Sequence, residues 1–255
     1  MDRRDLLMAG ASAASAFLLM LGGCASVHDE PVAIPAHKSA IALFTGSGLG
    51  EFDTFLRSNG LNSDPDHVFQ VEHGTVHISG KEYGYMITKQ SYGNYYLRAQ
   101  FKWGEGTYGT RAGRARDSGI LYNIEGAQKV WPRSIEFQIL EGGTGDFWIT
   151  DGAALTARSG ERVVGPAGTA LLIDHFGKGP TEDDAGVRDP KGDLELPHGQ
   201  WNTLQLIVRG DRVQQYVNGK LANEGTSPFP KEGKILLQSE GAEVFFRSVT
   251  LYPLE

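Results

Sequence analysis

The segment Ser134-Ile135-Glu136-Phe137-Gln138-Ile139-Leu140-Glu141 carries the most informative chemical pattern in the chain. On a strand, successive side chains alternate faces. Ile135, Phe137 and Ile139 then enter a core, while Ser134, Glu136 and Gln138 line the opposite face. A sandwich sheet with such a polar row and long flanking loops can form a concave sugar-binding face, or the row can simply meet water. Trp131, Phe147 and Trp148 flank the strand in or near loops. Such rings either cover the rim of the core or pack on the C–H face of a sugar whose hydroxyls bond at the edge. Retaining glycoside hydrolysis needs two carboxyl groups about 5 Å apart. Here the alternate positions hold Glu136, Gln138 and Leu140. Glu141 falls one residue out of register unless Gly142 and Gly143 allow a bulge. The register predicts a single-carboxylate site, better matched to proton abstraction than to double displacement.

The elements that must position this strand are β. Tyr95, Leu97, Ala99, Phe101 and Trp103 alternate with Tyr96, Arg98, Gln100 and Lys102, which is the period of a half-buried strand. The alternation recurs at Leu204, Leu206 and Val208 and again from Val213 to Val217, with further strands over 235–238 and 244–251. Turn signals separate them, among them Gly210-Asp211, Glu232-Gly233 and Glu240-Gly241. Asn218-Gly219 predicts a tight hairpin, because both residues tolerate positive φ. No helical period persists after the first two dozen residues. The pattern predicts an all-β sandwich or jelly roll. Residues 142–200 read as long loops rich in Gly, Pro and Asp, with a short strand over Ala170 to His175 and an exposed excursion over 177–192.

The chain opens differently. Arg3 and Arg4 precede an apolar run from Leu6 to Leu21, then Gly22, Gly23 and Cys24. That reads as an export signal over residues 1–23, too short and too interrupted for a membrane span of about 20 apolar residues. Leu21-Gly22-Gly23-Cys24 resembles the bacterial lipobox, in which the cysteine becomes the lipidated first residue; ordinary cleavage nearby is the alternative. Residues 24–40, polar with Pro31 and Pro35, read as a tether, and 41–255 as the domain. Ala25, where aspartate would favour retention elsewhere, points by the same resemblance to the outer membrane and a periplasmic domain. Cys24 is the only cysteine, so disulfides play no part. The formal net charge of −7 argues against a nucleic-acid partner, and the expected membrane contact is the lipid anchor alone.

Three stretches resemble the 3-keto-disaccharide hydrolase-like family: Ala115-Arg116-Asp117-Ser118-Gly119-Ile120-Leu121, Ser134 to Phe147 with its Glu-Gly-Gly-Thr-Gly-Asp-Phe ending, and GKILLQSEGAEVFF from Gly233. The opening Leu43-Phe44-Thr45-Gly46 and the segment from Trp201 to Lys220 fit as well, so the resemblance runs over about 41–254. It implies a concanavalin A-like jelly roll and lyase or hydratase chemistry on a 3-keto-glucoside. A ketone at carbon 3 acidifies the hydrogen on carbon 2, and the enolate then expels the glycosidic oxygen from carbon 1. Such a site needs a base, donors for the enolate oxygen and an acid for the leaving group. The resemblance makes Glu136 the base, or a ligand if a divalent cation is bound. Gln138 would hold a hydroxyl or the ketone, Lys102 and Arg98 would stabilise the enolate, Tyr122 would donate a proton, and His175 would be an acid or a metal ligand. Asp117, Ser118, Trp148 and Gln238 complete the expected sugar contacts. No Cys/His cluster has a recognised metal spacing, so no metal is assigned. A non-catalytic carbohydrate-binding module on a lipid anchor is the alternative.

Overall fold

The structure, a computed structural model, describes residues 32–168, 170–174 and 193–255. The leader, Cys24, His175 and the 177–192 excursion lie outside the described residues. Among the described residues the chain forms two antiparallel sheets, of ten and eight strands, packed face to face. The fold is all-β, as the alternation predicts, and is the two-sheet jelly roll that the resemblance implies.

The eight-stranded sheet carries the informative segment. Its order across the sheet is Ala170–Asp174, Phe147–Thr150, Arg133–Leu140, Asp117–Glu125, Lys234–Ser239, Gly84–Thr88, Phe52–Leu56, Gly60–Leu61. The strand Arg133–Leu140 therefore lies inside the sheet, with Phe147–Thr150 on one side and Asp117–Glu125 on the other. The ten-stranded sheet is built around Tyr95–Thr107, which pairs with Asn202–Arg209 and Ala242–Pro253. Asn218 and Gly219 take φ of 50° and 76° and close the hairpin between Arg212–Val217 and Lys220–Phe229.

One apolar layer joins the sheets. Ile135, Phe137 and Ile139 from one sheet meet the layer that includes Leu97, Ala99, Phe101 and Trp103 from the other, all of them buried. The period-two register thus sends each strand's apolar set inward and leaves two outer faces. On the outer face of the ten-stranded sheet, Tyr96, Ile207 and Leu254 form a smaller cluster on which Val32 packs. His37 bridges to Leu254, and the Lys38 amide donates to the Pro253 carbonyl at 2.8 Å. The described end of the expected tether is therefore laid against this sheet.

Among the described residues, the stretch 142–200 holds four short strands, Phe147–Thr150, Ala154–Thr156, Arg162–Val164 and Ala170–Asp174, of which the sequence predicts the last alone. The second and third extend the ten-stranded sheet and the others the eight-stranded one. The first three, of three or four residues each, show too little alternation to stand out from a loop.

Candidate functional site

The outer face of the eight-stranded sheet holds a cleft of about 220 Å³ whose floor is the predicted polar row. Glu136 and Gln138 rise from Arg133–Leu140 into it, and Asp117 rises from the neighbouring strand. All three are nearly buried, at 5 %, 3 % and 2 % exposure. Buried polar groups need partners, and several are visible. The Gln138 amide donates to Oδ1 of Asp117 at 3.1 Å, and Oδ2 of Asp117 pairs with the Arg111 guanidinium. Arg111 ends the short 3-10 turn Gly109–Arg111 and is itself buried. The charge of Asp117 is thereby compensated in place, and Gln138 is held at a set angle.

Gly119 makes the floor possible. It is opposite Gln138 in the ladder. A Cβ there would collide with Oε1 of Glu136 and come 2.8 Å from Oε1 of Gln238. The two side chains therefore converge over a bare backbone position. Gln238 is 1 % exposed, and its Oε1 has no hydrogen-bond partner among the described residues. A buried acceptor of this kind, beside a carboxylate in a cleft, is suited to a ligand hydroxyl that donates to it.

Two tryptophans wall the cleft. Trp148 faces Glu136 across the ladder, and Trp131 stands at the end of the 126–132 connection. Gly168, Ala170 and the half-buried Glu240 close the rest of the rim. Trp131 is braced from outside the cleft. The Arg57 guanidinium lies 4.5 Å from the Tyr83 ring centroid and 5.6 Å from that of Trp131, and the two rings meet edge to face. The Tyr83 hydroxyl bonds Oγ1 of Thr110 at 2.7 Å, in the same turn that supplies Arg111. Aromatic walls above a polar floor form the arrangement in which a sugar ring packs its C–H face and bonds through its hydroxyls.

The structure brings together Glu136, Gln138, Asp117, Trp148 and Gln238 from the expected set, and it separates four others. Tyr122 points into the apolar layer between the sheets, fully buried, with its hydroxyl accepting from Gln215 at 3.3 Å. Burial, reinforced by Tyr95, holds its phenol well above the ordinary range, so it is neither within reach nor a ready acid. Ser118 shares that inward side and donates to the Gln238 carbonyl at 2.9 Å. Lys102 and Arg98 lie on the outer face of the ten-stranded sheet, on the far side of the sandwich. There the Lys102 ammonium sits 5.2 Å from the rings of both Trp201 and Phe245. Enolate stabilisation by these two cations is excluded by position. His175 lies outside the described residues. Glu141 pairs with Arg116 at 3.0 Å and is not among the cleft's lining residues.

Three functional groups escaped sequence reasoning. Arg111 is one of three arginines between Arg111 and Arg116, and no periodicity marks it. Glu240 belongs to a dipeptide read only as a turn. Gly119 could have been found, since a glycine inside a strand flags a close approach above it. Among the described residues no three His, Cys, Asp or Glu side chains group to hold a metal ion.

The family model for the 3-keto-alpha-glucoside-1,2-lyase-like domain matches residues 39–252. Comparison with curated proteins finds no match. Among solved structures, two glycosyl hydrolase candidates from Parabacteroides distasonis are similar. One has 19 % identity over 85 % of this chain and 94 % of its own, with a TM-score of 0.54. The other has 18 % identity over 85 % and 100 %, with a TM-score of 0.52. A non-specific endo-β-1,3(4)-glucanase of family GH16 superposes with a TM-score of 0.50 at 13 % identity, over 88 % of this chain and 97 % of that one. At such identities these likenesses show the shared jelly-roll fold. The match over nearly all of the described chain shows more: the protein belongs to the 3-keto-α-glucoside-1,2-lyase-like domain family.

Proposed function

We propose that the protein cleaves 3-keto-glycosides by taking the proton beside the ketone and expelling the glycosidic oxygen, followed by addition of water. The observation that supports this most directly is the pairing of Glu136 with the unsatisfied acceptor of Gln238 above Gly119, in a cleft walled by two tryptophans. Glu136 takes the hydrogen from carbon 2, and the electron pair forms the enolate. The enolate collapses to restore the ketone, a double bond forms between carbons 1 and 2, and the bond from carbon 1 to the leaving oxygen breaks. Water then adds at carbon 1 and carbon 2 regains a proton, giving the free 3-keto-sugar. Gln138, aligned by Asp117 and Arg111, donates toward the developing enolate oxygen. Gln238 receives a sugar hydroxyl. With Tyr122 in the core, the leaving oxygen takes its proton from the cleft's carboxyl groups. Glu240, on the cleft's rim, or the proton just carried by Glu136 serves that step.

The test is incubation with a 3-keto-disaccharide and with its unoxidised parent, products being identified by mass. Only the keto-sugar is expected to be cleaved, and Glu136→Gln is expected to lower turnover by about 10²–10⁴-fold. Unchanged turnover in that variant removes Glu136 as the base. Asp117 and Glu240 in the same cleft favour a second reading, two-carboxylate hydrolysis of ordinary glycosides. Release of sugar from the parent disaccharide would establish it instead. Equal binding of both sugars without product would make the protein a binding module.

We further propose that the domain is exported to the periplasm and held through lipidated Cys24. Cys24→Ser is then expected to move the protein from the membrane to the soluble fraction with turnover unchanged.

A further inference from the structure

Lys102 and Arg98, which the cleft does not use, belong to a cationic strip on the opposite outer face. Lys102 is opposite Phe245 and Phe245 opposite His77, so three strands of the ten-stranded sheet contribute one row. The His77 ring stacks on Phe245 with centroids 4.7 Å apart. Trp201, just before Asn202–Arg209, closes the other end of the row and shares the Lys102 ammonium with Phe245. Arg247 comes next along the sheet, opposite Gln100. Its guanidinium lies 4.0 Å from the Trp201 ring centroid, and its Nε donates to Oε1 of Gln100 at 3.1 Å. Arg98 follows, opposite Gln205 and Thr250.

The charge of this strip is opposite to that of the chain, which carries 31 Asp and Glu against 24 Lys and Arg. Among the described residues neither Arg98, Lys102 nor Arg247 is paired with a carboxylate. The acids of the same face are turned elsewhere: Glu72 and Glu243 flank His77 at 3.4 and 2.9 Å, and Glu224 pairs with Arg212 at 2.9 Å. The three cations, Trp201 and Phe245 are all half-buried, so each still presents part of its surface outward. Cations without carboxylates beside an indole suit the headgroup region of an anionic bilayer. Lipid phosphates attract basic side chains, and tryptophan settles at the membrane–water interface.

The entry of the chain points the same way. Val32 packs against Tyr96 and Tyr252 on this face, and Cys24 stands eight residues before it. Eight residues reach at most about 28 Å. A lipid on Cys24 would therefore bring this face, rather than the cleft, to a membrane. We propose that the outer face of the ten-stranded sheet docks on bilayers bearing anionic phospholipid, with Arg98, Lys102 and Arg247 meeting the phosphates and Trp201 at headgroup level. Three cations give a reversible contact, not an anchor. The docking rests on the proposed anchor only for proximity, and the Cys24→Ser fractionation reads that anchor separately.

The test places the full chain on phosphatidylcholine vesicles with about one-third phosphatidylglycerol, and follows tryptophan quenching by headgroup-spin-labelled lipid. Quenching is expected in the wild type and in Trp131→Phe and Trp148→Phe, and is expected to be lost in Trp201→Phe. It should vanish in phosphatidylcholine alone and in about 1 M salt, where the screening length is about 3 Å. Arg98→Gln/Lys102→Gln/Arg247→Gln should lower the docked-to-undocked ratio about 10²-fold, about fivefold per cation. The charge-conserving Arg98→Lys/Lys102→Arg/Arg247→Lys should keep it. Quenching that is equal in neutral vesicles or in salt, that survives the neutral triple, or that belongs to Trp131 and Trp148 overturns the proposal. A Trp201 emission shift with polygalacturonate, without quenching on vesicles, would make the face a glycan site instead. The wild-type arms need no variant to fold, and no readout needs turnover, so failure of the docking is distinct from failure of the proposed chemistry.

Discussion

At the scale of single residues, the cleft depends on two positions that never face the sugar chemistry directly. Arg111 compensates a carboxylate that is almost fully buried. Removing one partner of a buried ion pair leaves the other charge uncompensated, at about 3–5 kcal/mol. Arg111→Met is therefore expected to lower urea stability by that order and to weaken sugar binding, while Asp117→Asn in the same background restores part of the loss. Gly119 acts by having no side chain. Gly119→Ala is expected to push Glu136 and Gln238 apart, costing about 1–3 kcal/mol and abolishing sugar binding measured by titration calorimetry. Retained binding in Gly119→Ala would mean that the two groups do not act together. The polar row itself was legible, since Glu136 and Gln138 are fixed by a two-residue period. Arg111 was not, because a residue that reaches the site from a turn leaves no periodic trace.

At the scale of elements, alternation tells which residues of one strand share a face but not which sheet that strand joins. Lys102 and Glu136 both face outward, as alternation predicts, and the sandwich puts them on opposite outsides. The pairing of Tyr95–Thr107 with the strands Asn202–Arg209 and Ala242–Pro253 decides this, and pairings so far apart in the chain cannot be read from a local pattern. The short strands Phe147–Thr150, Ala154–Thr156 and Arg162–Val164 are hidden for a related reason: each gains its identity from a neighbour, as Phe147–Thr150 does by lying beside Arg133–Leu140. The 126–132 connection shows how an element without regular structure can still be held. Trp131 is braced by Arg57 and Tyr83, on two other connections. An exposed cation–π contact contributes about 0.5–1 kcal/mol. Arg57→Ala is thus expected to leave Tm nearly unchanged and to weaken sugar affinity several-fold, because a wall of the cleft loses its brace. Equal affinity in Arg57→Ala and wild type would show that Trp131 is held by its own loop.

At the scale of the whole molecule, the described chain enters on one outer face and works on the other. Val32 to Lys38 lie on the ten-stranded sheet, and the cleft opens from the eight-stranded one. A lipid anchor at Cys24 would thus hold the domain by the side opposite its cleft. The same two-sided construction gives stability two pH limbs of opposite sign. Glu243, on the ten-stranded sheet, has its carboxyl pushed up by burial, but the Gly106 and Glu105 amides and His77 outweigh this and hold it below 4.5. A depressed carboxyl contributes stability that is present above the unfolded value and lost as pH falls through the folded one. Glu195, which accepts from the Thr144 hydroxyl and the Trp103 indole, acts the other way, since burial raises its carboxyl from 4.5 up to about 8. The two limbs meet near 4.5, so Tm is expected to peak at mildly acidic pH. Glu243→Gln should blunt the acid limb alone, since its amide cannot change charge, and Glu195→Gln the alkaline limb alone. Thermal scans of the two variants and the double variant from pH 3 to 9 read this directly. A wild-type peak above neutrality, or a Glu243→Gln variant that loses stability on the alkaline side, would show that other groups set the profile.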